Sequence, residues 1–255
     1  MIGAAPGLFL GLPIFMVSFL VFAYLAGLRR QRLSDLKAQA IHDAVIGGDT
    51  SGVGPFILYL RPFDSTGQIK KTVQDMGSSV NDFSRSTTYE LEAQLVRASK
   101  KLGTFIGLGQ SLEHQGAGRI ETTESDWQAS VLALAKSARL IVMVPVANPG
   151  TLWELEQVLS LGYAPKTLFL NVPGSWFTFG RKEFDQKEDW PRIQSVFAAH
   201  GYTMPTYRMD GRMLYFGRKT EPVFETKLKI DKAWDLERTL KKVDVGRRSA
   251  NLIEA

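Results

Sequence analysis

Cysteine is absent from the 255-residue chain, so neither a disulfide, nor a thiolate metal site, nor a thiol nucleophile can be part of it. A disulfide-stapled secreted fold is excluded. Histidine is scarce: His42, His114 and His200 are scattered, which gives no metal-ligand spacing and no histidine-based triad. The 44% hydrophobic and 22% charged residues also exclude collagen, low-complexity disorder and coiled-coil rods. The most telling absence is local. From Ile2 to Leu28, 27 residues pass without one charged side chain. The net charge of +5 is mild and calls for no nucleic acid.

At about 1.5 Å per residue, that 27-residue run makes a helix of about 40 Å, longer than the ~30 Å hydrocarbon core of a bilayer. Residues 1–28 are therefore expected to be a transmembrane helix. Arg29, Arg30, Arg32 and Lys37 follow the run and no basic residue precedes it, the reverse of a cleaved signal peptide. The positive-inside rule then predicts a single-pass protein with its amino terminus outside and its carboxyl-terminal domain in the cytoplasm. Gly3, Gly7 and Gly11 recur every four residues, either as a helix-packing stripe or as ordinary glycine near a helix end.

Residues 29–54 read as a polar juxtamembrane helix and a linker, with a flexible break of Gly, Asp, Thr and Ser from Gly47 to Gly54. Over 55–173, strand and helix alternate. The expected strands are Phe56–Leu60, Thr104–Leu108, Arg139–Val144 and Thr167–Val172. Capping boxes at Thr87 with Glu90 and at Ser125 with Gln128 open the first two helices, and Asn148 with Pro149 opens a third that ends at Gly162. This pattern predicts an α/β, doubly wound, mainly parallel sheet. Residues 174–245 form an α+β extension completing or capping that sheet, with helices over 188–200 and 232–243 and a hairpin around Asp210 and Gly211. Residues 246–255 are expected to be a disordered tail.

In doubly wound sheets, ligands bind beyond the carboxyl ends of the strands, where loops and helix amino termini gather. The first strand ends in Arg61, Pro62, Phe63 and Asp64 and opens a loop of about 25 residues. The second ends in Gly107 and Gly109 and opens a loop with Gly116, Gly118 and Arg119. The third delivers Gly150, Thr151, Trp153 and Glu154 to the same edge.

Two family resemblances rest on these residues. The run from Asn148 to Glu154, followed by Gly162 and Lys166, resembles the Gly-Thr-x-x-Glu motif that opens a helix in nucleoside 2-deoxyribosyltransferases. There the glutamate attacks or stabilises the sugar carbon as the base departs. The order strand, Arg61 to Asp64, helix, strand, helix, strand, Trp153 and glutamate also resembles Toll/interleukin-1 receptor (TIR) domains, a flavodoxin-like fold. Some TIR domains cleave the nicotinamide glycosidic bond of NAD. The two resemblances cover residues 56–172. They imply a catalytic glutamate, which the deoxyribosyltransferase register assigns to Glu154 and the TIR register, with tryptophan three positions earlier, to Glu156.

Cleavage of an N-glycosidic bond needs a carboxylate beside the anomeric carbon, because the transition state resembles an oxocarbenium ion. Arg61 and Arg119 suit a pyrophosphate, Asp64 adjoins Arg61, and the glycines let backbone NH groups approach it. Trp153 is expected to wall the pocket. NAD enters as substrate, with no cofactor or metal, and the expected partners are a membrane, a nucleotide and further copies of the chain. The competing readings are a non-catalytic module that binds a nucleotide or a partner domain, and a membrane-assembly scaffold.

Overall fold

Apolar runs of four or five residues, too short for helices and unbroken by polar residues, set the centre of the fold. The computed structural model describes residues 7–62, 67–75, 85–112, 114–176 and 186–251. Helix α1 (Gly7–Ile46) leads into β1 (Phe56–Leu60), which is followed by an antiparallel hairpin of β2 (Lys70–Asp75) and β3 (Arg85–Glu90). Next come α2 (Leu91–Ser99), β4 (Thr104–Leu108), β5 (Gly118–Ile120), α3 (Trp127–Ser137), β6 (Leu140–Met143) and α4 (Pro149–Ser160). The order closes with β7 (Thr167–Asn171), α5 (Gln186–Ala199), β8 (Arg212–Tyr215), β9 (Phe224–Lys227) and α6 (Ala233–Asn251).

One seven-stranded sheet has the order β5-β4-β1-β6-β7-β8-β9. Its first five strands are parallel, and β8 and β9 join antiparallel, so residues after 173 complete the sheet rather than merely cap it. Alternate residues of β1 feed two cores. Phe56, Leu58 and Leu60 pack towards α1, α3, α4 and α5, whereas Ile57 and Tyr59 pack towards α2 and α6. The fold is α/β with a mainly parallel sheet covered on both faces. The chain steps outward from β1 to β4 to β5 and then returns to β6 on the other side of β1. That topological switch lies between β1 and β6.

Several expectations need correction. The Thr87–Glu90 capping box does not form, because Thr87 pairs with Val73 in the hairpin and Glu90 makes no side-chain cap. The long loop after β1 holds that hairpin instead. At the second box, Ser125 bonds Asp126 rather than capping α3. The turn at Asp210 and Gly211 leads into β8, and the hairpin partner is β9, across a turn between Tyr215 and Phe224. Helix α6 continues through Gly246 to Asn251, since Arg247 and Arg248 pair with Asp244 one turn back. The tail is thus helical as far as Asn251.

The largest departure concerns α1. Gln31, Asp35, Ala38 and Ile41 are buried at helical spacing, so this half of α1, expected as a juxtamembrane helix, is also a layer of the domain. The physical reason is a gap. Only nine residues, 109–117, join β4 to β5, too few for a crossover helix, and α1 covers the face they leave bare. Among the described residues no helix is long and apolar enough to cross a membrane.

The contact of α1 with β5 is made at backbone distance. A methyl group at Gly118 would lie 2.5 Å from the Ser34 carbonyl oxygen and 2.8 Å from Ala38 Cβ. Gly118→Ala is therefore expected to destabilise the protein by about 1–3 kcal/mol, a fall in Tm of at least about 2–4 °C. Gly52→Ala, at a position with open space around it, should leave Tm unchanged. Thermal unfolding of the two variants measures the difference.

Candidate functional site

The carboxyl ends of β1, β4 and β5 carry a buried ionic cluster on the face covered by α2. Arg61 follows β1 with the same side-chain parity as Tyr59, and Arg119 is the middle residue of β5. Both reach Glu92, the second residue of α2. Arg119 Nη2 lies 2.6 Å from Glu92 Oε1, and Arg61 Nε lies 3.4 Å from Glu92 Oε2. The backbone NH of Ala117 also donates to Glu92, at 2.8 Å. The amino terminus of α2 adds favourable dipole charge for this carboxylate. All three ionic side chains are buried, Arg119 to within 1% of full burial. Beside them, His114 Nε2 lies 2.7 Å from Glu90 Oε1. The Glu90 carboxylate pushes the imidazole above its ordinary value against the opposing effect of burial. Burial, and then the charge of Glu92, push the Tyr59 hydroxyl well above the ordinary phenol range.

Glu154 approaches from the other layer. Helix α4 starts sharply because the Asn148 side chain accepts the Thr151 NH at 2.7 Å and Pro149 occupies the first turn. Leu152, Leu155, Val158 and Leu159 fix the buried face of α4, and Glu154 is carried inward with them at 4% exposure. Glu156 is exposed. Burial pushes the Glu154 carboxyl up to about 8, while the positive charge of Arg61 pulls it down. Its Oε2 is buried and has no hydrogen-bond partner among the described residues. Burial thus favours the protonated form of this side chain, against the charge of Arg61.

The structure thus brings Arg61, Arg119 and Glu154 to one edge. Asp64 lies outside the described residues. The glycines serve packing instead of offering amides to an anion: Gly109 donates its NH to the Ile120 carbonyl, and Gly116 donates to Gln31 Oε1. A methyl at Gly116 would collide with Glu92 Oε1, and Gly107 leaves room beneath Arg119. The Thr151 NH is taken by Asn148, while the first turn at Gly150 is open. Trp153 packs edge-on against Trp127, with ring centroids 4.9 Å apart, and so joins α4 to α3. That contact accounts for the tryptophan without a ligand.

Glu92, Glu90, His114 and Tyr59 are the residues that sequence reasoning missed. One signal was available for Glu92, which shares a helical face with Leu95 and Ser99 at i+3 and i+7. No spacing in the sequence pairs it with Arg61 or Arg119.

The raised Glu154 pKa fixes a pH dependence. The unfolded carboxyl titrates near 4.5 and the folded one near 8, so between these values only the folded state holds the proton. Stability must therefore fall as pH rises through that window, by at most about 1.4 kcal/mol per pH unit. Glu154→Gln removes the titration. Its Tm relative to the parent should rise steadily from pH 5 to pH 8, and a pH-independent difference would show that the carboxyl is not held protonated. No family model matches this chain, and no curated protein or solved structure matches it either.

Proposed function

We propose that the protein is a membrane-anchored α/β module that binds a nucleotide at the carboxyl edge of its sheet and cleaves an N-glycosidic bond, as in NAD, with Glu154. The observation that carries this reading is the buried Glu154 carboxyl, with an unpartnered oxygen, at the topological switch and beside the Arg61 charge. A neutral carboxyl stabilises an oxocarbenium ion poorly. The nicotinamide riboside of NAD is cationic, however, and a cation placed beside Glu154 lowers its pKa and restores the carboxylate where positive charge develops. The nicotinamide then leaves with the bonding electron pair, and water adds its oxygen to the anomeric carbon and passes its proton to the Glu154 carboxylate. Arg61 and Arg119 with Glu92 carry a net charge of +1, which suits an anionic phosphate nearby.

Anchoring is supported by α1. Every residue from Phe15 to Leu25 is exposed, and Ser18 is the only one in that stretch that is neither apolar nor aromatic, a surface suited to lipid or to another copy of the helix. In this reading Arg29, Arg30 and Arg32 mark the cytoplasmic side. A second reading, a binding module without catalysis, is favoured by the engagement of both arginines on Glu92 and of Trp153 on Trp127.

Nicotinamide release from NAD by the full chain in detergent separates the two. Catalysis predicts that Glu154→Gln lowers kcat by about 100-fold or more, with Tm retained at pH 5, while Glu156→Gln changes it less than about twofold. The reverse pattern would move the chemistry to Glu156. A rise in Tm with NAD but no nicotinamide leaves the binding module.

A further inference from the structure

The opposite edge of the sheet has a different character. Where β1, β6 and β7 begin, a cavity of about 1060 Å³ opens, lined by Lys136, Arg139, Lys166, Arg218, Arg247 and Arg248. Among the described residues no aspartate or glutamate lines it. Among the described residues, Asp244 is the carboxylate that holds these arginines, at 2.6 Å from Arg139, 3.3 Å from Arg247 and 2.8 Å from Arg248. Among the described residues, Lys136, Arg139, Lys166, Arg247 and Arg248 meet that one carboxylate, an excess of four charges. Part of this charge serves helix ends: Lys166 Nζ donates to the Lys136 and Ala138 carbonyls at the end of α3, and Arg139 donates to the Leu102 carbonyl. A helix terminus offers only about half a unit charge, so these ends cannot balance the excess.

Two further observations suit an anion in this cavity. Burial, and then the charge of Arg247, push the Lys166 ammonium down to about 8. Arg247 Nε is buried with no hydrogen-bond partner among the described residues. The cavity is of the size that takes a nucleotide, and the rings of Tyr163 and Tyr202 add apolar wall.

We propose that this cavity at the amino-terminal edge is a second ligand site, which binds a soluble, multiply phosphorylated small molecule. Arg247 and Arg248, on α6, both line it, and guanidinium groups bind phosphate oxygens in pairs. The source of the phosphate follows from the direction of α1. Gln31 and Asp35 contact the loop at the carboxyl edge, whereas Ile46 leads back to β1 at the amino edge. An apolar segment held in a bilayer lies beyond the carboxyl edge, so the cavity faces away from lipid headgroups. Only this last step rests on the anchoring proposed above; the anion site does not.

The test uses the full chain in phosphatidylcholine nanodiscs, titrated with inorganic triphosphate in a calorimeter at constant ionic strength. Saturable binding at one site per chain is expected, unchanged in Glu154→Gln. The double variant Lys136→Gln, Arg248→Gln alters two exposed cations and should keep its Tm while weakening binding by about tenfold or more. Absence of binding, equal binding by the double variant, or loss in Glu154→Gln would each overturn the proposal, the last by moving the anion to the other edge. Competition from nanodiscs rich in phosphatidylserine would overturn the soluble source. Nicotinamide release by the double variant is read separately, so failure of this site and failure of the glycosidic reading are distinguishable.

Discussion

Asp35 is the point at which α1 grips the sheet edge. Its Oδ1 accepts from Gln31 Nε2 at 2.7 Å and from the Arg119 NH at 2.8 Å. Its Oδ2 accepts from the Leu112 NH at 3.0 Å and the Ser111 hydroxyl at 3.2 Å. A buried carboxylate is costly unless its lone pairs are filled, and here four donors from three segments fill them. With the backbone of Arg119 fixed by Asp35, its guanidinium meets Glu92; Glu92 in turn holds Arg61, whose charge acts on Glu154. The carboxyl edge is therefore organised by a residue on the amino-terminal helix.

This arrangement gives the sheet two unlike edges. At the carboxyl edge, charges are buried and mostly matched: Glu92 between two arginines, Glu90 against His114, Glu154 kept neutral by desolvation. At the amino edge, among the described residues, cations outnumber carboxylates around a cavity. Matched, buried groups hold a precise geometry and respond to small changes in local field, whereas an unmatched cationic basin draws anions over longer distances and weakens with salt.

The parts visible in the sequence are those governed by local rules. The apolar runs of β1 and β4 predicted their limits, and Asn148, Pro149 and Gly162 marked both ends of α4. Glu154, Arg61 and Arg119 were legible as a group because strand ends in a parallel sheet share an edge. What escaped was non-local. Thr87 and Glu90 match a capping box, yet cross-strand pairing with the segment after Ile69 takes Thr87 into the hairpin. Three residues of β5 are too few for a periodic signal. The role of Gln31 and Asp35 depends on a loop some 80 residues away, and nothing in a polar amphipathic stretch distinguishes a linker from a sheet cover.

The continuity of α1 couples the ends of the molecule mechanically. One unbroken helix joins the apolar segment to the buried face at Gln31 and Asp35, with no intervening hinge. The azimuth of the domain about that helix is thus set by residue count alone. One residue inserted between Leu28 and Gln31 would turn the sheet by about 100°, and seven would return it to within about 20° of its starting direction. If two such helices pair along their apolar lengths, the angle between their sheet edges is inherited from the helical phase, so a twist at one end arrives at Arg119 as torque.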